Sequence, residues 1–288
     1  MNETDEAELQ DLRQLLRMLD NIDPWIEVVR SDESSRPWTA DDRSPLATDD
    51  QRTHPYRLSH RAWMAIGVAV DFLHCLRRGL LHELHDGQAH VLLHSYAQPA
   101  VMRGAVENAC CAVWLLGPPT RSERVTNRLT LEWNELKPAY RLRELAHSQP
   151  SRTIEQRQRQ LIDLLLTANP CTAQPEQDPQ MAAERTARNA FNNGGGYVRM
   201  VRRAGELTPH LGADIAEATW RMCSALAHGD SSATIGFLDT EIVEQVQPGI
   251  KLVRTSPSLQ ALASATAIAM LLTTRAFELF GTRRRAPY

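Results

Sequence analysis

Five polar residues, Asp214, Glu217, Arg221, Ser224 and His228, follow one another at intervals of 3, 4, 3 and 4. On a helix that spacing puts all five along one stripe, while Leu211, Ile215, Met222 and Leu226 fall largely elsewhere. Arg221 and His228 stand about two turns apart, roughly 10.5 Å along the axis, and an arginine side chain closes much of that gap. A guanidinium and an imidazole aimed at one phosphate supply the parts of metal-independent RNA cleavage. The imidazole moves a proton between the 2′-hydroxyl and the leaving oxygen, and the guanidinium holds the charge developing on phosphorus. A plainer explanation competes: an amphipathic helix always has a polar face, and this one could simply meet water.

Arg103 and Glu107 lie four apart on the most apolar segment of the chain. Burying either alone is costly, so they are expected to pair with each other or with polar groups of another helix. Alternatively, Glu107 could receive Arg221 and orient it. Histidines gather at His74, His82, His85, His90 and His94. His90 and His94 have the i,i+4 spacing of a shared metal, with Glu83 or Asp86 nearby, but no His-Glu-x-x-His signature is present. Neither a metal nor a cofactor is therefore expected. Asn192-Asn193-Gly194-Gly195-Gly196 lacks the Lys-Ser/Thr of a phosphate loop and reads as a break between helices. No Ser-His-Asp or Cys-His triad can be assembled.

The segment Trp220-Arg221-Met222-Cys223-Ser224-Ala225-Leu226-Ala227-His228-Gly229 resembles the arginine, four to six residues, histidine motif of the HEPN superfamily. Arg103-Gly104-Ala105-Val106-Glu107-Asn108 resembles the Arg-x-x-x-Glu on an early helix of bacterial HEPN-like families. The resemblance covers about residues 89–228. It implies a helical, often dimeric protein, a ribonuclease in stress or phage defence, with Arg221 and His228 catalytic and Ser224, Glu107 and Arg103 in support. One departure stands out: the residue after the family arginine is usually polar, and here it is Met222. Two other classes stay open, a non-catalytic binding or regulatory protein on the same scaffold, and a small-molecule enzyme with its pocket near Arg103, Glu107 and Trp114.

The elements expected to position these residues are mostly helices. Leu9, Leu12, Leu15, Leu16 and Leu19 mark an amphipathic helix within 1–30. Residues 31–56, rich in Asp, Ser, Arg and Pro, read as a loop or partly disordered connection. A bundle is expected over 57–288, with helices over 58–84, 89–116, 121–147, 151–167, 181–192, 197–204, 211–228 and 259–280. The helix at 89–116 would start or kink at Pro99, and the one at 121–147 could be interrupted before Pro138. A linker is expected at 169–180. Ala233–Leu238, Ile242–Gln247 and Ile250–Arg254 read as strands, the last two a hairpin turning at Pro248-Gly249. The fold class is mainly α, with about eight or nine helices and one small β element near 233–254.

Composition narrows the class without choosing the function. At 42% hydrophobic and 23% charged residues, with a formal net charge of −3, the chain of 288 residues gives no global electrostatic case for nucleic acid or an anionic membrane. Positive charge is nearly all arginine, the only lysines being Lys137 and Lys251. The odd set Cys75, Cys110, Cys111, Cys171 and Cys223 fits no zinc motif, and Met1–Asp20 is acidic and unlike a signal peptide. Reduced thiols in a cytoplasm, no membrane span, a homodimer and an RNA partner are the expectations.

Overall fold

The computed structural model describes residues 3–31, 37–83, 89–168, 179–194 and 196–287. Its centre is α5 (Ala97–Leu116), apolar on most sides as the sequence requires and buried from Met102 to Leu116 on nearly every face. Packed around it are α4 (Leu58–Leu80), α6 (Arg121–Leu145), α9 (Tyr197–Glu206), α10 (Ala213–Ala227) and α12 (Leu259–Arg283). The close crossing of α4 and α5 depends on Gly104, where a Cβ would run into the Phe72 ring at 2.5 Å. By length and composition α12 could cross a membrane. Here its apolar side is buried against α5, α1 (Glu3–Asp20) and α4, the behaviour of a core helix.

A second apolar cluster joins α6 to α7 (Ile154–Ala168) and α8 (Pro179–Gly194) through Leu129, Leu136, Leu161, Ile162 and Phe191. Phe191 stacks on Trp133 at 4.8 Å between centroids. Pro138 does not interrupt α6: residues around Asn134 are exposed, so water can take the carbonyl that proline leaves unpaired.

Twelve helices are present among the described residues, against the eight or nine expected. The N-terminal segment breaks at Asn21-Ile22, and Asp23-Pro24 starts α2 (Asp23–Arg30), because proline suits a first turn. The stretch expected to be a connection at 31–56 contains α3 (Pro45–Thr53), capped by Ser44, whose hydroxyl accepts from Ala47 N–H at 3.1 Å. Its buried residues are Leu46, Asp49 and Thr53, and one apolar position in three gives no hydrophobic period to read. Most of the expected linker at 169–180 lies outside the described residues.

The β content also differs. Ala233–Leu238 is not a strand: it lies in α11 (Ser231–Phe237), because Asp230 caps the segment by accepting from Ala233 N–H at 2.9 Å. The hairpin is there, β3 (Asp239–Gln247) against β4 (Ile250–Ser256), and Gly249 at φ 82° gives the turn the positive φ of a type II third position. Two register shifts absorb a turn that matches strand twist poorly. A second, shorter hairpin, β1 (Leu81–Glu83) with β2 (Ala89–Val91), ends the helical run before α5, so Pro99 sits in the first turn of a new helix.

Candidate functional site

Helix α10 is capped by Gly212, with φ 79°, before it and by His228 after it, and Gly229 then turns the chain away at φ 67°. The polar stripe forms as expected, but its members go to different partners. Arg221 Nε donates to Glu217 Oε1 at 2.6 Å, one turn back along the helix. Arg202, on α9, donates to both Glu217 Oε2 (2.6 Å) and Asp214 Oδ1 (2.8 Å). Hydrogen bonds from Arg202 and then Arg221 hold the Glu217 carboxyl below the usual carboxylate range. This half of the stripe is a ladder of ion pairs at the α9–α10 seam. Of Ser224, the backbone carbonyl is used, accepting the His228 N–H at 3.2 Å.

His228 turns instead toward α5, where its Nε2 lies 3.1 Å from Arg103 Nη1. A guanidinium carries donors only, so the facing ring nitrogen must be the unprotonated one, with the proton on Nδ1. Arg103 is held from its other side by Glu107, Nε to Oε2 at 3.6 Å, and the same Oε2 accepts from Trp220 Nε1 at 3.1 Å. The outcome is a continuous relay, His228–Arg103–Glu107–Trp220, crossing between α10 and α5 twice. The Arg103–Glu107 pair forms as the spacing predicts. Arg221 is hydrogen-bonded to Glu217, and His228 to Arg103.

Sequence reasoning missed the neighbours of this relay. The Trp220 ring is near parallel to Tyr197, with centroids 6.3 Å apart and 21° between planes. Both rings line a cleft of about 1150 Å³ that also includes Trp114, Asn127, Asn193 and Arg199. A second hollow of about 530 Å³ lies beside Tyr197, bounded by Glu135 and Met200. Burial, with Glu107 and Glu135 nearby, pushes the Tyr197 hydroxyl above the ordinary phenol range. Trp114, beside which the sequence reading places a pocket, lines this cleft, whereas Tyr197 and Trp220 were not foreseen. The cavity between α5, α10 and α12, near Met102, Met222 and Leu226, is only about 20 Å³, room for a single water.

The other candidates separate in space. His90 is in β2 and His94 in the loop after it, so their spacing is not that of one helix face. His94 N–H donates to Gln98, and His74 Nδ1 lies 3.1 Å from Arg30 Nη2, with burial, then Arg30, lowering its basicity. His85 and Asp86 lie outside the described residues, as does Cys171. No group of three metal-ligating side chains occurs among the described residues. Cys110, Cys111 and Cys223 are buried, and burial pushes their thiols upward, to about 11 for Cys111 and about 12 for Cys223. No protein-family model, curated protein or solved structure matches this chain.

Proposed function

We propose that this protein is a HEPN-like ribonuclease that cleaves RNA without a metal, using His228 and Arg103 as its catalytic pair. The observation that carries the reading is an exposed imidazole whose Nε2 lies 3.1 Å from a guanidinium that is braced from behind by Glu107. Arg221, the partner that the family motif implies, is committed to Glu217 and stands outside the pair.

The chemistry balances on these groups. A bound phosphate draws Arg103 from the ring, and the guanidinium then holds the charge developing on phosphorus. Nε2, released, takes the proton of the ribose 2′-hydroxyl. The 2′-oxygen attacks phosphorus, the bond to the 5′-oxygen breaks, and the ring returns the proton to that oxygen. The products are a 2′,3′-cyclic phosphate and a free 5′-hydroxyl. Glu107 and Trp220 act by holding Arg103 in place.

The test is cleavage of single-stranded RNA in EDTA. The wild type is expected to cut, His228→Ala and Arg103→Ala to lose roughly a hundredfold or more, and Arg221→Ala to stay within about threefold, as an exposed pair would. Intact RNA with the wild type, or equal cutting by His228→Ala, ends the reading. A cytoplasmic homodimer acting in stress or defence belongs to the same proposal, and a solution mass near 32.4 kDa, that of one chain, would remove the dimer.

A specific observation favours a second reading. The cleft beside Trp114 and Trp220, at about 1150 Å³, reaches the size of small-molecule sites, commonly about 300–1,000 Å³. RNA left intact together with thermal stabilisation by a small ligand would favour an enzyme or binding protein of that class.

A further inference from the structure

We propose that the cleft between α6, α9 and α10 binds one unstacked nucleotide, its base against the Tyr197–Trp220 pair and its phosphate at Arg199. The nuclease reading gives this site a purpose, but the inference rests on the cleft's own geometry.

The Tyr197 and Trp220 rings lie 21° from parallel with centroids 6.3 Å apart, an aromatic pair on the wall of the cleft. Tyr197 is 55% exposed, so one face stays open to a base stacked from outside. Charge selects among planar ligands. Arg202 is bound to Asp214 and Glu217, and Arg203 to Glu123 and Glu206. Arg199 is different: its guanidinium donates to the Asn193 carbonyl, and no carboxylate pairs with it among the described residues. Arg202 and Arg203 being neutralised, Arg199 alone is left for an anion, enough for a single phosphate and too little for a strip of duplex backbone. Asn127, which lines the cleft, spends its amide on the Trp114 carbonyl, at 2.9 Å, so that what it has left to offer a base is an acceptor. The site adjoins the relay through Trp220, whose indole N–H reaches Glu107.

The same chemistry comes from a free mononucleotide or from one residue of a single strand, and titration separates them. The probes are AMP, a 2′-O-methyl single-stranded oligonucleotide that cannot be cleaved for want of a 2′-hydroxyl, and its duplex. Binding is read by quenching of tryptophan fluorescence and by competition with a labelled oligonucleotide. The expected result is binding of the single strand, at least tenfold weaker binding of the duplex, and a roughly 5- to 150-fold loss in Tyr197→Ala, the worth of one stacked base. Tyr197→Phe keeps the ring and should keep the affinity; Arg199→Ala should weaken it and flatten its salt dependence. AMP binding as tightly as the strand assigns the site to free nucleotides, and a strand binding more tightly assigns it to single-stranded nucleic acid. No binding by either probe, equal binding of the duplex, or an unaffected Tyr197→Ala overturns the proposal. Because the probe is uncleavable, a failed nuclease reading leaves this test intact, and cleavage without binding here overturns this inference alone.

Discussion

Asp49 and Arg124 fasten α3 to the start of α6, and cutting that link has a calculable consequence. The carboxylate is fully buried and the guanidinium 3% exposed. Two hydrogen bonds join them, Nε to Oδ2 at 2.6 Å and Nη2 to Oδ1 at 3.0 Å, while Arg124 Nη1 reaches the carbonyls of Pro118 and Pro119. Arg121 stands 3.5 Å away. Burial nevertheless pushes the Asp49 carboxyl above its ordinary range, and Arg124, Arg121 and Arg283, pulling it down, do not prevail. Desolvation therefore offsets most of the attraction, and the pair as a whole adds little net stability. Its halves are a different matter.

Asp49→Ala strands a buried guanidinium and should cost about 3–5 kcal/mol, as should Arg124→Met. For a chain of this size that lowers the melting temperature by roughly 2 °C per kcal/mol, about 6–10 °C. Asp49→Leu combined with Arg124→Met removes both charges and should return to within about 1 kcal/mol of the wild type. Calorimetry or urea unfolding reads all three. The sign with pH follows. The folded carboxyl holds its proton to higher pH than the unfolded chain does, so its contribution is complete below the ordinary value of about 4 and declines as pH rises through the folded value. The double variant should lack that decline. Single variants as stable as the wild type, or a double variant as unstable as the singles added together, would refute the reasoning.

Three further outcomes are expected. Gly104→Ala should destabilise by about 1–3 kcal/mol in urea unfolding, since its methyl meets the Phe72 ring; an unchanged midpoint would mean that α4 and α5 separate at little cost. Among the four described cysteines only Cys75 is exposed, so peptide mapping after brief native alkylation should find it labelled and Cys110, Cys111 and Cys223 unlabelled. Arg103→Lys should keep the Glu107 pair but lose the contact to His228, detected as a change in the imidazole ¹⁵N shifts that report which nitrogen carries the proton; unchanged shifts would show that Arg103 does not set the tautomer.

The mainly α fold was legible because α4, α5 and α12 bury long apolar faces whose period survives in the residue order. The β3–β4 hairpin was legible because Pro248-Gly249 supplies its turn. Helix α3 was not, since its inward positions are Leu46, Asp49 and Thr53, and a carboxylate facing the interior is invisible to a hydrophobic count. Residues 233–238 were misassigned because Ile235 and Phe237 look like alternating strand residues, whereas the local cap at Asp230 decides in favour of helix. At the candidate site, the Arg103–Glu107 pair follows from i,i+4 spacing within one helix. The Arg103–His228 contact joins residues 125 apart and exists only because α5 and α10 pack together.

That packing also explains why the site uses an arginine from α5. Going along α10 from Trp220 to His228, the partners on α5 run backward from Glu107 to Arg103, so the two helices are antiparallel where they touch. Eight residues of α10 cover roughly 12 Å, and four residues of α5 cover roughly 6 Å. The difference has to be made up by a side chain that is both long and able to present nitrogens in two directions. Arginine meets both conditions, with Nε toward Glu107 and Nη1 toward His228. A lysine carries its three donors on one atom and lacks a planar fork that presents separate nitrogens to the two partners. The fork of Arg103 is thus what converts an ion pair internal to one helix into a constraint on the imidazole at the end of another, and His228 acquires a defined tautomer from a residue that its own helix does not contain.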